Sequence, residues 1–319
     1  MALSLDLQLL SVITAAMANS DFVRPERAAR DDWKAVRAHA DAALVAIGAA
    51  MPAHTDVART DHQVVSFDGV QVLVRWYVPN GRSDEPGPAG VYLHGGGMIS
   101  GSVDLNDRLI AGYVADSGVP MLAVDYRLAP EHPHPTPVED AYAGLAWLAA
   151  HADELHVDPA RIALIGDSAG GGLAAGAALL ARDRGLPVAK QILIYPMLDD
   201  RTTEPDPTLV PLAFWSYDDN YTGWHALLGD VIGGHGVPGY AAPARAEDLA
   251  GLPTTYIEVG ELDIFRNECI SYARRIVEAG TSVELHVHPG CPHGFEYVSA
   301  DADVARRSRA DRLRALASI

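Results

Sequence analysis

From residue 62 onward, short runs of β-branched and other apolar residues alternate with alanine-rich stretches of helical character, and this alternation narrows the possible folds more than any other feature. Repeated strand-helix-strand units form a mostly parallel sheet with helices on both faces, because each helix must bury its apolar stripe against the sheet. Residues 70–78 alternate, with Val70, Val72, Val74, Trp76 and Val78 on one side and Gln71, Leu73, Arg75 and Tyr77 on the other, the pattern of an early antiparallel strand. The stretches at 90–94, 119–125, 161–165, 190–195, 254–259 and 283–287 are read as apolar strands of the kind buried on both faces. Helices are expected at 105–117, 138–152, 169–184, 267–279 and 302–317, with Gly118, Gly185 and Gly280 as C-terminal stops.

Two regions fall outside this rhythm. Residues 1–55 read as helices, and residues 200–247 are rich in Pro, Gly and aromatics. Both are read as cap segments over a core made of residues 56–199 and 248–319. An insertion of that length is usually functional, and it would sit over the C-terminal edge of the sheet, where ligands bind in α/β folds.

The 319 residues carry a net charge of −18, and a phosphate backbone would be repelled by it; no local basic patch offsets the charge, so nucleic acid is not an expected partner. The opening run at 3–17 is apolar, but it lacks a basic flank and contains Asp6 and Gln8, so an amphipathic helix is expected rather than a secretory signal. No window reaches the roughly 18 uninterrupted apolar residues of a membrane span. Two cysteines, Cys269 and Cys291, make no disulfide framework, and a reducing, cytoplasmic setting is expected.

The strongest local signal is Gly166-Asp167-Ser168-Ala169-Gly170, which follows an apolar strand and opens an alanine-rich helix. This is a nucleophile elbow: small residues on either side let a strand turn sharply into a helix and leave the serine exposed on strained backbone. His94-Gly95-Gly96-Gly97 also follows a strand, and its glycines suit an oxyanion hole in which the N–H groups of Gly96 and Gly97 join that of Ala169.

A serine hydroxyl needs a base within hydrogen-bond reach, and the base needs a carboxylate to fix its tautomer. In this type of fold the chain order is Ser, acid, His. His293, in Pro292-His293-Gly294-Phe295 after the last strand, is the expected base, while His286 and His288 on that strand are read as structural. Asp263, a short loop after the strand at 254–259, is the expected acid. Glu258 lies inside that strand, Glu261 comes early in the loop, and Asp301 falls after the histidine, so each is a weaker rival.

These residues resemble the hormone-sensitive-lipase-like bacterial esterases of the α/β hydrolases. The marks are His94 to Gly97, then Asp125-Tyr126-Arg127-Leu128-Ala129-Pro130-Glu131-His132-Pro133, then Gly166 to Gly171, Asp263, and His293-Gly294-Phe295. Residues 242–256 carry a softer likeness to the branch that includes bacterial heroin esterase. The resemblance implies an α/β-hydrolase fold with a mostly parallel eight-stranded sheet, helices on both faces and a helical cap. It implies a carboxylic ester hydrolase acting on small to medium acyl esters, a small-molecule ester as partner, a homodimer, and no cofactor. It also implies that Tyr126, Arg127 and Glu131 brace the site. The family usually places a second aspartate after the acid; this chain has Asn267, which touches only the hydrogen bonding behind the acid, and Glu268 is expected to hold the loop.

Other readings compete. His286, His288, Cys291 and His293 are metal-ligand types, but a Pro289-Gly290 turn interrupts their spacing and no second cluster completes a site, so no metal is expected. Phe214, Trp215 and Trp224, with Tyr217 and Tyr221, suit a substrate-pocket lining and a packed cap equally. Leu7, Leu10 and Ile13 pose the same choice. A non-hydrolytic binding protein on the same fold would lack the base that His293 supplies, and an amidase would share the triad.

Overall fold

The structure is a computed structural model that describes residues 3–18 and 27–319. Among these residues eight strands form one sheet: β1 (Val57–Val65), β2 (Gln71–Pro79), β3 (Gly87–Leu93), β4 (Met121–Val124), β5 (Val157–Asp167), β6 (Lys190–Ile194), β7 (Thr254–Gly260) and β8 (Val283–His288). Their order is β1-β2-β4-β3-β5-β6-β7-β8. β2 runs antiparallel to both its neighbours, and the other pairs are parallel. The α/β-hydrolase architecture expected from the sequence is therefore present.

The helices are α1 (Leu7–Ala18), α2 (Trp33–Ala50), α3 (Asp107–Ser117), α4 (Thr136–Ala150), α5 (Ala169–Asp183), α6 (Tyr217–Leu228), α7 (Arg266–Glu278), the single turn α8 (Phe295–Val298) and α9 (Asp303–Ala317). The crossover from β3 through α3 to β4 runs toward one edge of the sheet, whereas those through α4, α5 and α7 run toward the other. Right-handed crossovers then place α3 on one face and α4, α5 and α7 on the opposite one. α9 returns to pack on α3. Gly118, Gly185 and Gly280 all take positive φ just beyond their helices, as C-terminal stops do.

The central strands are buried along their length: Ile162, Leu164, Ile165, Ile192, Leu193 and Ile257 are fully enclosed. Two strands depart from the sequence reading. β1 was not anticipated, because it is an edge strand whose middle is polar and of which only Val57 and Val64 are buried. β8 is not covered on both faces: it is the other edge, and Leu285 and Val287 stay more than a third exposed.

Helix α1 also differs from the amphipathic expectation. Leu9 alone is buried, packed on Cys291 and Phe295, while Leu7 and Leu10 stand on the surface and Ile13 is half-buried. No helix among the described residues is long and apolar enough to cross a membrane.

Candidate active site

The direction of winding reverses between β3 and β5, and this opens a crevice at their C-terminal ends. The loop after β3 carries His94 to Gly97, and the turn after β5 carries Ser168. Ser168 sits at φ 55° and ψ −120°, outside the ordinary regions for a side-chain-bearing residue. Its neighbours explain why the turn tolerates this. A Cβ on Gly166 would lie 2.3 Å from the Gly170 carbonyl oxygen, and one on Gly170 would lie 2.0 Å from that of Leu93. The backbone of Ser168 is pinned by its N–H donating to Ile194 at 2.9 Å and its carbonyl accepting from Met197 at 2.9 Å.

Ser168 Oγ lies 3.0 Å from His293 Nε2, and His293 Nδ1 lies 2.6 Å from Asp263 Oδ2. Three residues from the ends of β5, β7 and β8 thus converge, although 125 positions separate serine from histidine. Asp263 is almost wholly buried, and its second oxygen accepts the Phe265 N–H at 3.0 Å. Burial pulls the His293 imidazole toward its neutral form, but the Asp263 carboxylate outweighs that and raises its pKa above the ordinary value.

The rival acids are engaged elsewhere. Glu258 pairs with Arg312 and Ser308 in the core, Glu261 accepts the Gly290 N–H at 2.9 Å, and Asp301 is exposed. Asp167, beside the serine, is fully enclosed; burial pushes its carboxyl up despite the hydroxyl of Tyr92, which donates to it at 2.5 Å.

The N–H groups of Gly96, Gly97 and Ala169 have no protein acceptor among the described residues. Gly96 and Gly97 both take positive φ, and a Cβ on Gly95 would come within 2.5 Å of Asp167 Oδ2 and 3.3 Å of the Ser168 Cβ. Free donors on a glycine turn packed against Ser168 suit a developing anion.

Residues that sequence reasoning missed hold this turn in place. Arg37 and Asp41 of α2 reach over it: Arg37 binds the carbonyls of Ile99 and Ala129 and the Glu131 carboxylate, and Asp41 accepts the Gly101 N–H at 2.9 Å. An arginine and an aspartate four apart on one helix gave no local signal of this. Tyr126 stacks on His94 at 4.2 Å and donates to its carbonyl at 2.7 Å. Arg127 pairs instead with Asp140 and Asp68. Glu268 accepts the N–H groups of Leu198 and Asp199, so it holds the loop after β6, while Asn267 is exposed and meets only Arg266.

Of the aromatics in 200–247, Trp215 lies against the Gly96–Gly97 turn, with its ring carbons 2.8 Å from where a Gly97 Cβ would be. Phe214 is exposed. Trp224 is fully enclosed in the core, the place of a packing residue rather than the wall of an open pocket. A cavity of about 730 Å³ between α2 and α6 is lined by Trp33, His134, Thr222, His225 and Leu227 among others, and Ser168 is not part of its wall.

His286, His288, Cys291 and His293 turn to different partners: Glu284, Glu258, the Pro289 carbonyl and the serine pair. Among the described residues, Glu284, His286 and Asp311 do bring ligand atoms within 4.8 Å of one another, but Arg314 already pairs with both carboxylates.

Comparison with known proteins places the chain in a family. Residues 90–297 match the model of a family described as having the alpha/beta hydrolase fold, and the chain belongs to that family, in its hormone-sensitive-lipase-like branch. It is 37% identical to carboxylesterase NlhH of Mycobacterium tuberculosis over 272 residues, which cover 81% of this chain and 83% of that protein. Ethyl acetate hydrolase of Pseudomonas putida is 33% identical, with 74% and 75% covered. Among solved structures, a bacterial heroin esterase superposes with a TM-score of 0.89 at 38% identity, covering 99% of this chain and 98% of its own.

Proposed function

We propose that this protein is a serine carboxylesterase in which Ser168 is the nucleophile, His293 the general base and Asp263 the residue that orients the base. The observation that carries the reading is the continuous hydrogen-bonded line Ser168–His293–Asp263 at 3.0 and 2.6 Å, set beside three unpaired backbone donors. His293 takes the serine proton as Oγ attacks the ester carbonyl, and the N–H groups of Gly96, Gly97 and Ala169 hold the oxyanion. The alcohol departs with the proton returned by His293. Water, activated by the same imidazole, then cleaves the acyl-enzyme and restores Ser168. The relative named carboxylesterase supports an ester substrate, and the one named ethyl acetate hydrolase supports a small acyl group; the reading extends to medium acyl chains.

The described residues of 1–55, with residues 200–247, act as the cap of this site; residues 1–2 and 19–26 of that segment lie outside the described residues. Support comes from Arg37 and Asp41 on the oxyanion turn and from the close approach of Gly223 in α6, where a Cβ would lie 2.7 Å from the Gly97 carbonyl oxygen.

The test is the initial rate of hydrolysis of p-nitrophenyl esters from acetate to dodecanoate, with Ser168→Ala run in parallel. Serine-dependent turnover peaking at short or medium chains is the expected result. Undiminished hydrolysis by Ser168→Ala would remove the central claim.

A further inference from the structure

Beyond its hydrogen bonds, His293 is held between two aromatic rings. Phe265 meets the imidazole edge-on at 5.2 Å and 86°, and Tyr195 meets it at 4.7 Å and 64°. Tyr195, just past β6, has φ 35°, a backbone conformation that a bulky residue adopts only where its surroundings impose it. Its backbone N–H donates to the Glu258 carbonyl at 2.7 Å, and the other end of the side chain is tethered as well. The buried hydroxyl donates to Glu296 Oε1 at 2.7 Å, and the same oxygen accepts Arg312 Nη1 at 2.6 Å. Arg312, itself buried in α9, also donates to Glu258 of β7 at 2.7 Å.

This cluster has an uneven charge count. Glu296 and Glu258 face one guanidinium, and the other close donors to Glu258 are the neutral hydroxyls of Tyr256 at 2.7 Å and Ser308 at 3.0 Å, with His288 at 3.4 Å. Two carboxylates thus share one guanidinium in a region where water screens poorly. The charged groups acting on His293 are Asp263 after β7, Asp167 at the end of β5 and Glu296 in α8. Arg312 in α9 opposes them from behind Glu296. Tyr195 and Tyr297 are kept neutral by burial, which also favours the protonated form of Asp167. Besides Asp263, Glu296 is a carboxylate tied to the imidazole, through the Tyr195 hydroxyl at 2.7 Å and the ring contact at 4.7 Å.

The geometry points to Glu296 as a positioning residue for the base: through Tyr195 it fixes the plane of the His293 ring, and its carboxylate stabilises the imidazolium formed as Ser168 gives up its proton. This rests on His293 being the general base. Nothing in the proton transfer changes; the proton still passes from Ser168 Oγ to His293 Nε2.

The test compares wild type, Glu296→Gln, Tyr195→Phe and the surface control Glu284→Gln. Two readouts are taken: the pH profile of kcat/KM on p-nitrophenyl butyrate, and the NMR titration of the His293 ring, which needs no turnover. Removing one buried negative charge should lower the His293 midpoint in Glu296→Gln by about half to one pH unit in both readouts. Turnover on the plateau should fall about tenfold, with KM little changed. Tyr195→Phe, which keeps the ring and loses the tether, should reduce kcat with a smaller midpoint shift, and Glu284→Gln should match wild type. An unchanged midpoint in Glu296→Gln overturns the proposal even if activity falls, since loss of packing alone lowers rate without moving the titration. A shifted ring titration in a protein that shows no serine-dependent hydrolysis would leave the coupling standing and sink the esterase reading.

Discussion

Replacing Asp263 with asparagine changes one atom and removes, on structural grounds, the reactive form of the base. Asp263 makes two bonds as an acceptor, one to His293 Nδ1 at 2.6 Å and one to the Phe265 N–H at 3.0 Å. Asparagine offers one acceptor and one donor in the same plane. If its oxygen faces His293, its NH₂ confronts the Phe265 N–H in a site that is 1% exposed, and an unmet buried donor costs about 1–3 kcal/mol. If the amide flips, the NH₂ donates to Nδ1 and drives the imidazole proton to Nε2, where it points at Ser168 Oγ 3.0 Å away. A protonated Nε2 cannot accept the serine proton. The flipped form satisfies both neighbours, so it should dominate, and kcat should fall about 10⁴-fold, equivalent to about 5.5 kcal/mol of activation free energy. Steady-state hydrolysis of p-nitrophenyl butyrate measures the loss, and a fluorophosphonate probe followed by peptide mapping should still find its label on Ser168. A fall of less than about tenfold would refute the tautomer reasoning and move the orienting acid away from Asp263.

The remaining predictions concern pH and stability. Because catalysis needs neutral His293 and the Asp263 carboxylate holds its pKa above the ordinary imidazole value, kcat/KM should be lost as pH falls through a limb centred above that value; a pH–rate profile centred below it would contradict this. Gly170→Ala places a methyl 2.0 Å from the Leu93 carbonyl oxygen, and since both sides of the contact are backbone, urea titration should show a loss of at least about 3 kcal/mol. Gly69→Ala, where the space is open but φ is +83°, should cost only about 1–2 kcal/mol in the same assay. Arg312→Met leaves Glu258 and Glu296 buried without their cation and should cost about 3–5 kcal/mol, read as a lowered urea midpoint; a neutral effect would mean the cluster is not electrostatically coupled.

Several features were legible in the sequence because their physics is local. The elbow is one: Gly166 and Gly170 flank Ser168 because no side chain fits where the turn brings the backbone within 2.3 Å and 2.0 Å of where their Cβ atoms would be. The parallel strands are another, since Ile162 to Ile165 and Ile192 to Tyr195 show their burial as unbroken apolar runs. Where burial was partial the signal faded. β1 hides in a polar edge, and β8 reads as a covered strand although one side is open.

By itself the sequence determined the alternation of the parallel strands with their covering helices, the sharp turn at Ser168 and the glycines that leave N–H groups free, because each depends on residues within a few positions of one another. Only the tertiary structure decided which carboxylate meets His293, that Trp224 is core while Trp215 lies on the oxyanion turn, and that Arg37, Asp41, Tyr195 and Glu296 bear on the site. Those contacts join residues from about 30 to more than 100 positions apart, with partners chosen by how the helices dock over the strand ends. Such pairings leave no periodicity along the chain; they arise when packing encloses charged and polar groups that must then find one another.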